Sequence, residues 1–461
     1  MSLHGPLGAT QGGAFELTTS SLDARTVVRS RAGLLALATL LASGLVVTVA
    51  AADTDALLPE SVRPVPSWLA GPFGSSGIDI HVAGTLLCLA LMFTAYVIVV
   101  RVSDRIGSRA VLAGIAAVHA LVLLAPPLIS TDVFSYQAYA RIGALYGANP
   151  YLHGPHAIAL DPLYPFIGAK WVNMPSVYGP LFTIFSYILA PVSIAASILA
   201  YKAMAALASL VTVALIWNAA RLRGVSPVRA AALFGLNPLI VVYGVGGGHN
   251  DLVMVAVMMA GVYLLLARRE RSGAASLVIA IGVKLSAGLM LPFALAGSGR
   301  PLSGSRRREI AIGAGFCAAL VAGLSFAAFG SGLLRLIATV HQSQSEGDWH
   351  SLPGFIGTRL GLGTVGQVTG YVLALLSVGI VGWLVRRVWR GELDWIVGAG
   401  WATLAVLACA GSLMPWYVAW LIPLAAIGRD RRLLQATLWL AGCLQFVELL
   451  GHIPHGGTLG L

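Results

Sequence analysis

The sequence predicts an all-α, polytopic helical membrane protein with about 13 membrane segments, and three observations carry that reading. Apolar stretches near the ~20 residues that a helix needs to cross a bilayer recur along the chain. Hydrophobic residues make up 57% of the 461 positions and charged residues only 10%, where a soluble domain carries about 25% charged. The formal charge of +11 comes mostly from arginines clustered between the apolar stretches. That pattern orients membrane segments, and no folded soluble domain carries a basic face for nucleic acid.

The arginine clusters then order the elements. Arg25, Arg29 and Arg31 precede the first apolar run, so residues 1–31, polar and rich in Gly, Ser and Thr, are expected to be a disordered cytoplasmic N-terminus. Span 1 (32–51) is too long for a signal-peptide core and is read as retained. Residues 52–82, with Asp53, Asp55, Glu60, Asp79 and four prolines, lie outside. Span 2 (83–100) returns to Arg101, Arg105 and Arg109, and span 3 (110–127) delivers Asp132 to the outer surface. Residues 180–220 could hold two spans, but two would strand Arg221, Arg223 and Arg229 outside. One span at 196–219 is therefore expected, with 128–195 as one long outer loop and an interface helix at 180–191.

Spans 5 (230–246) and 6 (251–267) flank Gly247-Gly248-His249-Asn250-Asp251 on the outer side. Residues 274–297 are apolar yet bounded by arginines at both ends, so they are read as a hairpin of two short helices with Lys284 near its tip. Span 9 (310–328), an outer loop (329–360), and spans 10 (361–385), 11, 12 and 13 (433–450) complete the map. Spans 11 and 12 flank Met414-Pro415-Trp416-Tyr417 outside. The tail 451–461 is expected outside. No internal repeat is visible.

This map places eight of the ten histidines outside (81, 153, 156, 249, 341, 350, 452 and 455), and two of the three lysines, Lys170 and Lys202, outside or at the outer end of a span. Chemistry is therefore expected on the outer face, in three segments. The first, 130–180, gathers Asp132, Tyr136, Tyr139, Arg141, Asn149, Tyr151, His153, Tyr164, Lys170, Trp171 and Tyr178. The second is His249-Asn250-Asp251. The third, 341–350, holds His341, Glu346, Asp348, Trp349 and His350, and Trp416 and Tyr417 add an aromatic wall.

Asp132 to Arg141 reads as a short helix with Asp132, Tyr136 and Tyr139 on one face. A carboxylate in a first turn is kept ionised by the helix dipole and can take a proton from a hydroxyl; it can equally be a plain helix cap. His249-Asn250-Asp251 is either a site or a capped turn at the seam of two spans. Lys284, deep in apolar sequence, needs an anionic partner or must snorkel to a membrane edge. His119 and Glu448 read as structural. The glycines at 244 and 246–248 follow no predicted strand, so they make no nucleotide loop. The histidine spacing matches no metal site, and no metal is expected. Cys88, Cys317, Cys409 and Cys443 lie singly in apolar runs and read as core residues.

The motifs Ser130-Thr131-Asp132-Val133-Phe134-Ser135-Tyr136, Asn149-Pro150-Tyr151, Asn237-Pro238-Leu239, Gly247-Gly248-His249-Asn250-Asp251 and Met414-Pro415-Trp416-Tyr417 resemble the GT-C superfamily of membrane glycosyltransferases. More closely, they are similar to actinobacterial polyprenol-phosphomannose-dependent α-1,6-mannosyltransferases, over about 110–430. The resemblance implies a GT-C type fold with a long first catalytic outer loop, and a single transmembrane glycosyltransferase domain over 32–450. It implies a bacterial plasma-membrane location with the active site on the extracytoplasmic face. The implied partners are a polyprenyl-phosphate sugar, a glycan or glycolipid acceptor and membrane lipid, with no cofactor and no nucleic acid.

Asp132 would deprotonate the acceptor hydroxyl, which would invert the anomeric carbon of mannose. Arg141, Lys170, His249 or Lys284 would meet the departing phosphate. His249, Asn250 and Asp251 would shape the sugar pocket, with Tyr136, Asn149, Tyr151, Tyr178, His350, Trp416 and Tyr417 as further binding residues. Independently of any resemblance, no cytoplasmic domain is present to bind a nucleotide sugar, so a glycosyltransferase built this way uses a lipid donor. The competing reading is a transporter or flippase of a lipid-linked sugar.

Overall fold

The computed structural model describes residues 13–74, 76–297, 304–345, 351–360 and 366–450. Among them every regular element is helical and none is a strand. The first two helices are α1 (Gly13–Ala50) and α2 (His81–Ile106). The first extends back into the stretch expected to be disordered. A short break at Gly107, whose φ of 92° suits only glycine, separates α2 from α3 (Ser108–Leu123). Together these three carry the first three expected spans, with α1 packed on both of its successors.

The expected long loop follows. It holds α4 (Asp132–Ala144), four 3-10 turns and α5 (Pro180–Ser186), whose proline sits in its first turn. Next comes α6 (Ile194–Arg223), a single long helix, as the arginine pattern requires. Ser193 caps its start by accepting the Ala196 N–H, and Gly224, left-handed at φ 65°, ends it. Span 5 is α7 (Pro227–Gly235) followed by a π-helical turn over Leu239–Val245, bent by 45°. Asn237-Pro238 stands at the bend, where proline withholds an N–H from the helical ladder. All of Leu239–Val245 is buried, which puts this irregular backbone in the core rather than in lipid.

Then α8 (Asp251–Leu266) and α9 (Glu270–Val283) run to and from one end of the molecule. Lys284, extended at φ −155°, ψ 128°, separates α9 from a 3-10 turn and α10 (Met290–Gly297). The expected break at Lys284 is therefore present. Beyond it lie α11 (Gly304–Phe329), α12 (Arg335–Ser345), α13 (Leu352–Arg359), α14 (Gln367–Trp389), α15 (Trp395–Cys409), α16 (Ile422–Ile427) and α17 (Arg431–Leu450). Residues 329–360, expected as a loop, contain α12 and α13.

Five described helices are long and apolar enough to cross a membrane, or six if the bent pair counts as one span. The other expected segments coincide with shorter or less apolar helices. Arginines of the clusters expected inside gather at one end. Arg223 pairs with Asp394 at 2.8 Å, Arg229 with Asp104 at 2.9 Å, Arg306 with Glu270 at 2.6 Å, and Arg271 with Glu309. Arg306 also donates to the Leu265 carbonyl at 3.1 Å, so the basic end meets the C-terminus of α8. Asp251 begins that same helix, and its 16 residues span about 24 Å at 1.5 Å per residue. The basic end and the acidic site thus lie at opposite ends of α8.

Candidate active site

Two acids open two helices here. Asp132 is the first residue of α4 and Asp251 the first of α8. Each therefore sits at the positive end of a helix dipole, where ionisation is favoured. Two chain turns hold them side by side. The Leu128 N–H donates to the Gly246 carbonyl at 3.1 Å, and the Ile129 N–H to the Leu57 carbonyl at 2.9 Å. Gly248 takes φ 66° beside Val133 and Lys202, and a Cβ there would meet Val133 Cγ1 at 2.5 Å.

The two acids have different surroundings. Asp132 Oδ2 lies 3.1 Å from His249 Nδ1 and 3.5 Å from the Tyr136 hydroxyl. Among the described residues, none bonds to Asp132 Oδ1. Tyr136 accepts the Asn250 N–H at 3.1 Å, and its single proton goes either to Asp132 or to Asn250 Oδ1 at 3.4 Å. Burial pushes the Asp132 carboxyl up, but His249, the Lys284 charge and the Tyr136 hydroxyl together outweigh it. The carboxyl is held below the usual carboxylate range. Burial, then Asp132 and Asp251, push the Tyr136 phenol well above its ordinary value, so it stays a neutral donor.

Asp251 is fully buried, and both its oxygens accept from Lys284 Nζ at 2.8 Å. Oδ1 also accepts the Trp420 indole N–H at 2.7 Å. The Lys284 ammonium stands 4.8 Å from the Tyr417 ring and 5.5 Å from the Trp420 ring. Tyr417 and Trp420 stack at 4.5 Å, and Trp416 stacks on His249 at 3.7 Å. Tyr178 and Tyr136 meet edge to face at 4.7 Å.

These groups surround one cavity of about 750 Å³, lined by Asp132, Tyr178, Lys284, Trp416, Tyr417 and Trp420 among others. Ser286 and Trp416 line it as well, and the Ser286 hydroxyl and the Trp416 indole N–H have no partner among the described residues. A buried donor without a partner is costly, so these two are suited to a bound polar ligand. Lys170 and Trp171 stand at the mouth, with the ammonium 5.4 Å from the indole.

The structure thus brings together Asp132, Tyr136, Tyr178, His249, Asn250, Asp251, Lys284, Trp416 and Tyr417, with Lys170 at the rim. It sets three expected residues apart. Arg141 forms a two-pronged pair with Asp161 at 2.9 and 3.1 Å and donates to the Val192 carbonyl, so it ties the loop together and lies off the cavity lining. Asn149 donates to the Phe329 carbonyl at 2.6 Å and accepts the Tyr151 N–H. Tyr151 donates to the Tyr178 carbonyl at 2.9 Å and packs on Phe329. These two clip the loop to the end of α11. His350 lies outside the described residues. Among the described residues no three His, Cys, Asp or Glu side chains come together as a metal site.

Sequence reasoning missed Trp420 and the part played by Lys202. Trp420 follows Tyr417 by three residues, the spacing that aligns side chains in the 3-10 turn Pro415–Trp420, and the two rings stack. Lys202 is buried and donates to the carbonyls of Val122, Ala125 and Pro126 at the end of α3. It anchors the turn that leads to Asp132. His119 is the satisfied interior histidine expected, between the Ile115 carbonyl and Ser209 at 2.8 Å each.

An all-helical chain with membrane-length helices and a cavity holding an acid, a cation and aromatic walls is built as a membrane glycosyltransferase. The chain belongs to the family described as "Alpha-(1->6)-mannopyranosyltransferase, N-terminal domain", which matches residues 30–298; residues 350–459 match the MptB C-terminal domain. It is 29% identical over 396 residues to alpha-(1->6)-mannopyranosyltransferase A of Mycobacterium tuberculosis, covering 78% of this chain and 75% of that one. A second M. tuberculosis alpha-(1->6)-mannopyranosyltransferase is 28% identical, covering 66% of this chain and 63% of the relative. A probable alpha-(1->6)-mannopyranosyltransferase of Mycolicibacterium smegmatis is 27% identical, with 66% and 62% covered. The chain therefore spans somewhat less than two thirds of two of these relatives. No solved structure matches the chain.

Proposed function

We propose that this chain is an inverting mannosyltransferase. It moves mannose from polyprenyl-phosphate mannose to an α-1,6-mannan-type glycan on the outer face of the plasma membrane. The observation that carries the reading is the division of labour between the acids: Asp132 keeps an oxygen free at the cavity, while Asp251 is fully engaged by Lys284.

In the proposed step the acceptor hydroxyl gives its proton to Asp132. Its oxygen forms a bond to the anomeric carbon as the carbon–oxygen bond to phosphate breaks. The phosphate leaves with the electron pair and polyprenyl phosphate is released. Lys284 presents its remaining N–H to that charge, and Ser286 offers a hydroxyl beside it. His249 orients Asp132, and Trp416 fixes the imidazole plane by stacking. The prenyl tail leaves along the apolar side of the cavity, between α12, α14 and α15, where Val340, Tyr371, Ala374, Val406 and Leu407 line it. That side is continuous with α14, whose Val368, Val372, Leu375 and Val378 are exposed as lipid-facing residues are. Relatives bearing the mannosyltransferase name support the sugar; the basic cluster at the far end of α8 supports the outer-face assignment. We read the helical segments as a GT-C arrangement around this cavity.

The test is transfer of labelled mannose from polyprenyl-phosphate mannose to an α-1,6-oligomannoside in membranes. Asp132→Asn should lower kcat by about 10²–10⁴. Wild-type-like transfer by Asp132→Asn would remove Asp132 as base, and no transfer by the wild type from any polyprenyl-phosphate sugar would remove the reading.

A further inference from the structure

The cavity has two chemically different ends. One, between α12, α14 and α15, has an apolar side formed by Val340, Tyr371, Ala374, Val406 and Leu407, with His341, Ser343, Gln344 and Ser377 beside it. The other is walled by loops and carries Glu60, Lys170 and Trp171. We propose that Glu60 and Trp171 form a sugar subsite for the acceptor chain, holding the residue behind the one whose hydroxyl reacts at Asp132. This rests on the glycosyl-transfer reading for the identity of the acceptor, and on the cavity alone for the presence of a sugar site.

Glu60 comes from the first outer loop, 52–80, whose Pro59 lines the cavity beside it. Its side chain is exposed, but the backbone that carries it is held in place. The Arg63 guanidinium donates to the Leu58 carbonyl at 2.6 and 3.0 Å, and the Leu57 carbonyl accepts the Ile129 N–H at 2.9 Å. Ser61 donates to the Phe166 carbonyl at 2.9 Å, and Trp68 meets the Phe166 ring edge to face at 5.5 Å. Phe166 in turn stacks on Phe134 of α4 at 5.4 Å. The first loop is thus fastened on both sides of Glu60 to the segment that carries Asp132.

Trp171 is fixed as well. Its N–H donates to the Gly168 carbonyl at 2.8 Å, and its own carbonyl accepts the Met174 N–H at 3.1 Å. Gly168 is packed so closely that a Cβ would meet Thr131 Oγ1 at 3.1 Å, directly before Asp132. Among the described residues, the Glu60 carboxylate has no hydrogen-bonding or ionic partner in a chain that has only 18 acids. A half-buried indole face, an open carboxylate and an ammonium at one mouth match what a pyranose needs: a flat surface for its C–H face, an acceptor and a donor for its hydroxyls. A phosphate or a prenyl chain would be repelled by the carboxylate or left unsatisfied by the polar groups.

Binding and transfer separate the two readings. The purified wild-type protein, without donor, is titrated with α-1,6-mannotetraose, and the same is done for Trp171→Ala, Trp171→Phe and Glu60→Gln. The expected result is affinity about tenfold weaker for Trp171→Ala and Glu60→Gln, with most of it kept by Trp171→Phe. In the transfer assay, Trp171→Ala should raise the acceptor KM for the tetramer and the dimer alike, while leaving that for methyl α-mannoside, which cannot reach the subsite, and the KM for the lipid donor unchanged. Tetramer binding that is absent in the wild type, or unchanged by both Trp171→Ala and Glu60→Gln, overturns the subsite even if transfer occurs. Tetramer binding that depends on Trp171 without any mannosyl transfer keeps the subsite and removes the proposed function.

Discussion

Both oxygens of Asp251 accept from the Lys284 ammonium, at 2.8 Å each, and the acid is fully buried. This is a buried ion pair with a purpose on one side only. Asp251 faces the core, while Lys284 lines the cavity. The pair therefore delivers a positive charge to a place where an isolated ammonium would be too costly.

Removing either partner should be worse than removing both. Asp251→Asn strands a cation and Lys284→Met strands an anion, and each should cost about 3–5 kcal/mol in unfolding free energy. The double variant should recover most of that loss, because two neutral side chains replace a desolvated pair. Activity should not recover with it, since Lys284 is absent. Thermal unfolding in detergent, set beside transfer rates, checks both halves. Additive stability losses, or activity regained by the double variant, would contradict the assignment.

Asp132 makes a prediction about acid. Its folded-state ionisation is favoured, so its pKa in the protein lies below its value in the unfolded chain. The stability this contributes is present above the unfolded value, ~3.9, and is lost as pH falls through the folded one. The acid limb of kcat/KM should likewise fall below the ordinary carboxylate range, leaving the rate flat down to about pH 5. His249→Ala removes the hydrogen bond and charge that hold the value down. It should move the limb upward and lower kcat by roughly a hundredfold through lost orientation. His249→Asn places an amide N–H near the position of Nδ1 and should restore much of both. A limb unmoved by His249→Ala would sever the link between the two residues.

Charge and composition made the frame legible. Of the arginines that demanded one span at 196–219, Arg221 and Arg223 lie at the end of α6 and Arg229 at the start of α7, and the basic flanks of 274–297 required a break that falls on Lys284. The acid at 132, the His-Asn-Asp turn and the Pro-Trp-Tyr turn also met as expected, because polar groups at the ends of apolar helices have few places to go. Partnership within the long loop was not legible. Arg141 finds Asp161 twenty residues on, and Asn149 finds a carbonyl at Phe329, 180 residues on. Nothing local distinguishes an arginine bound for an ion pair from one bound for a phosphate, since both are polar residues in a polar stretch.

The loop is joined to the Lys284 break at a close approach of backbone to backbone. The Gly179 N–H donates to the Val283 carbonyl at 3.1 Å, and a Cβ on Gly179 would stand 2.3 Å from the Gly282 carbonyl oxygen and 2.5 Å from that of Val283. Both obstacles are backbone and cannot rotate away. Gly179→Ala should therefore cost about 1–3 kcal/mol and weaken transfer by displacing Tyr178 and Lys284. Gly315→Ala in α11, where a Cβ meets nothing within 4 Å, should be neutral or stabilise by up to about 1 kcal/mol. Equal melting temperatures for the two variants would mean that the approach at Gly179 is looser than the structure has it.

The orientation rests on which end of α8 faces the cytoplasm. Leu160, in the long loop, is fully exposed, and Arg308 is exposed in the basic cluster at the other end. With Cys88, Cys317, Cys409 and Cys443 replaced by serine or alanine, Leu160→Cys should react with a membrane-impermeant maleimide in intact cells. Arg308→Cys should react only once the membrane is opened. The positive-inside rule counts residues in short loops and at the ends of spans; Arg268 and Arg429 lie in short loops, and Arg308 and Arg386 in the terminal turns of α11 and α14. The reverse labelling pattern would put Asp132 and the cavity on the cytoplasmic side. A lipid donor would then have to present its sugar inward.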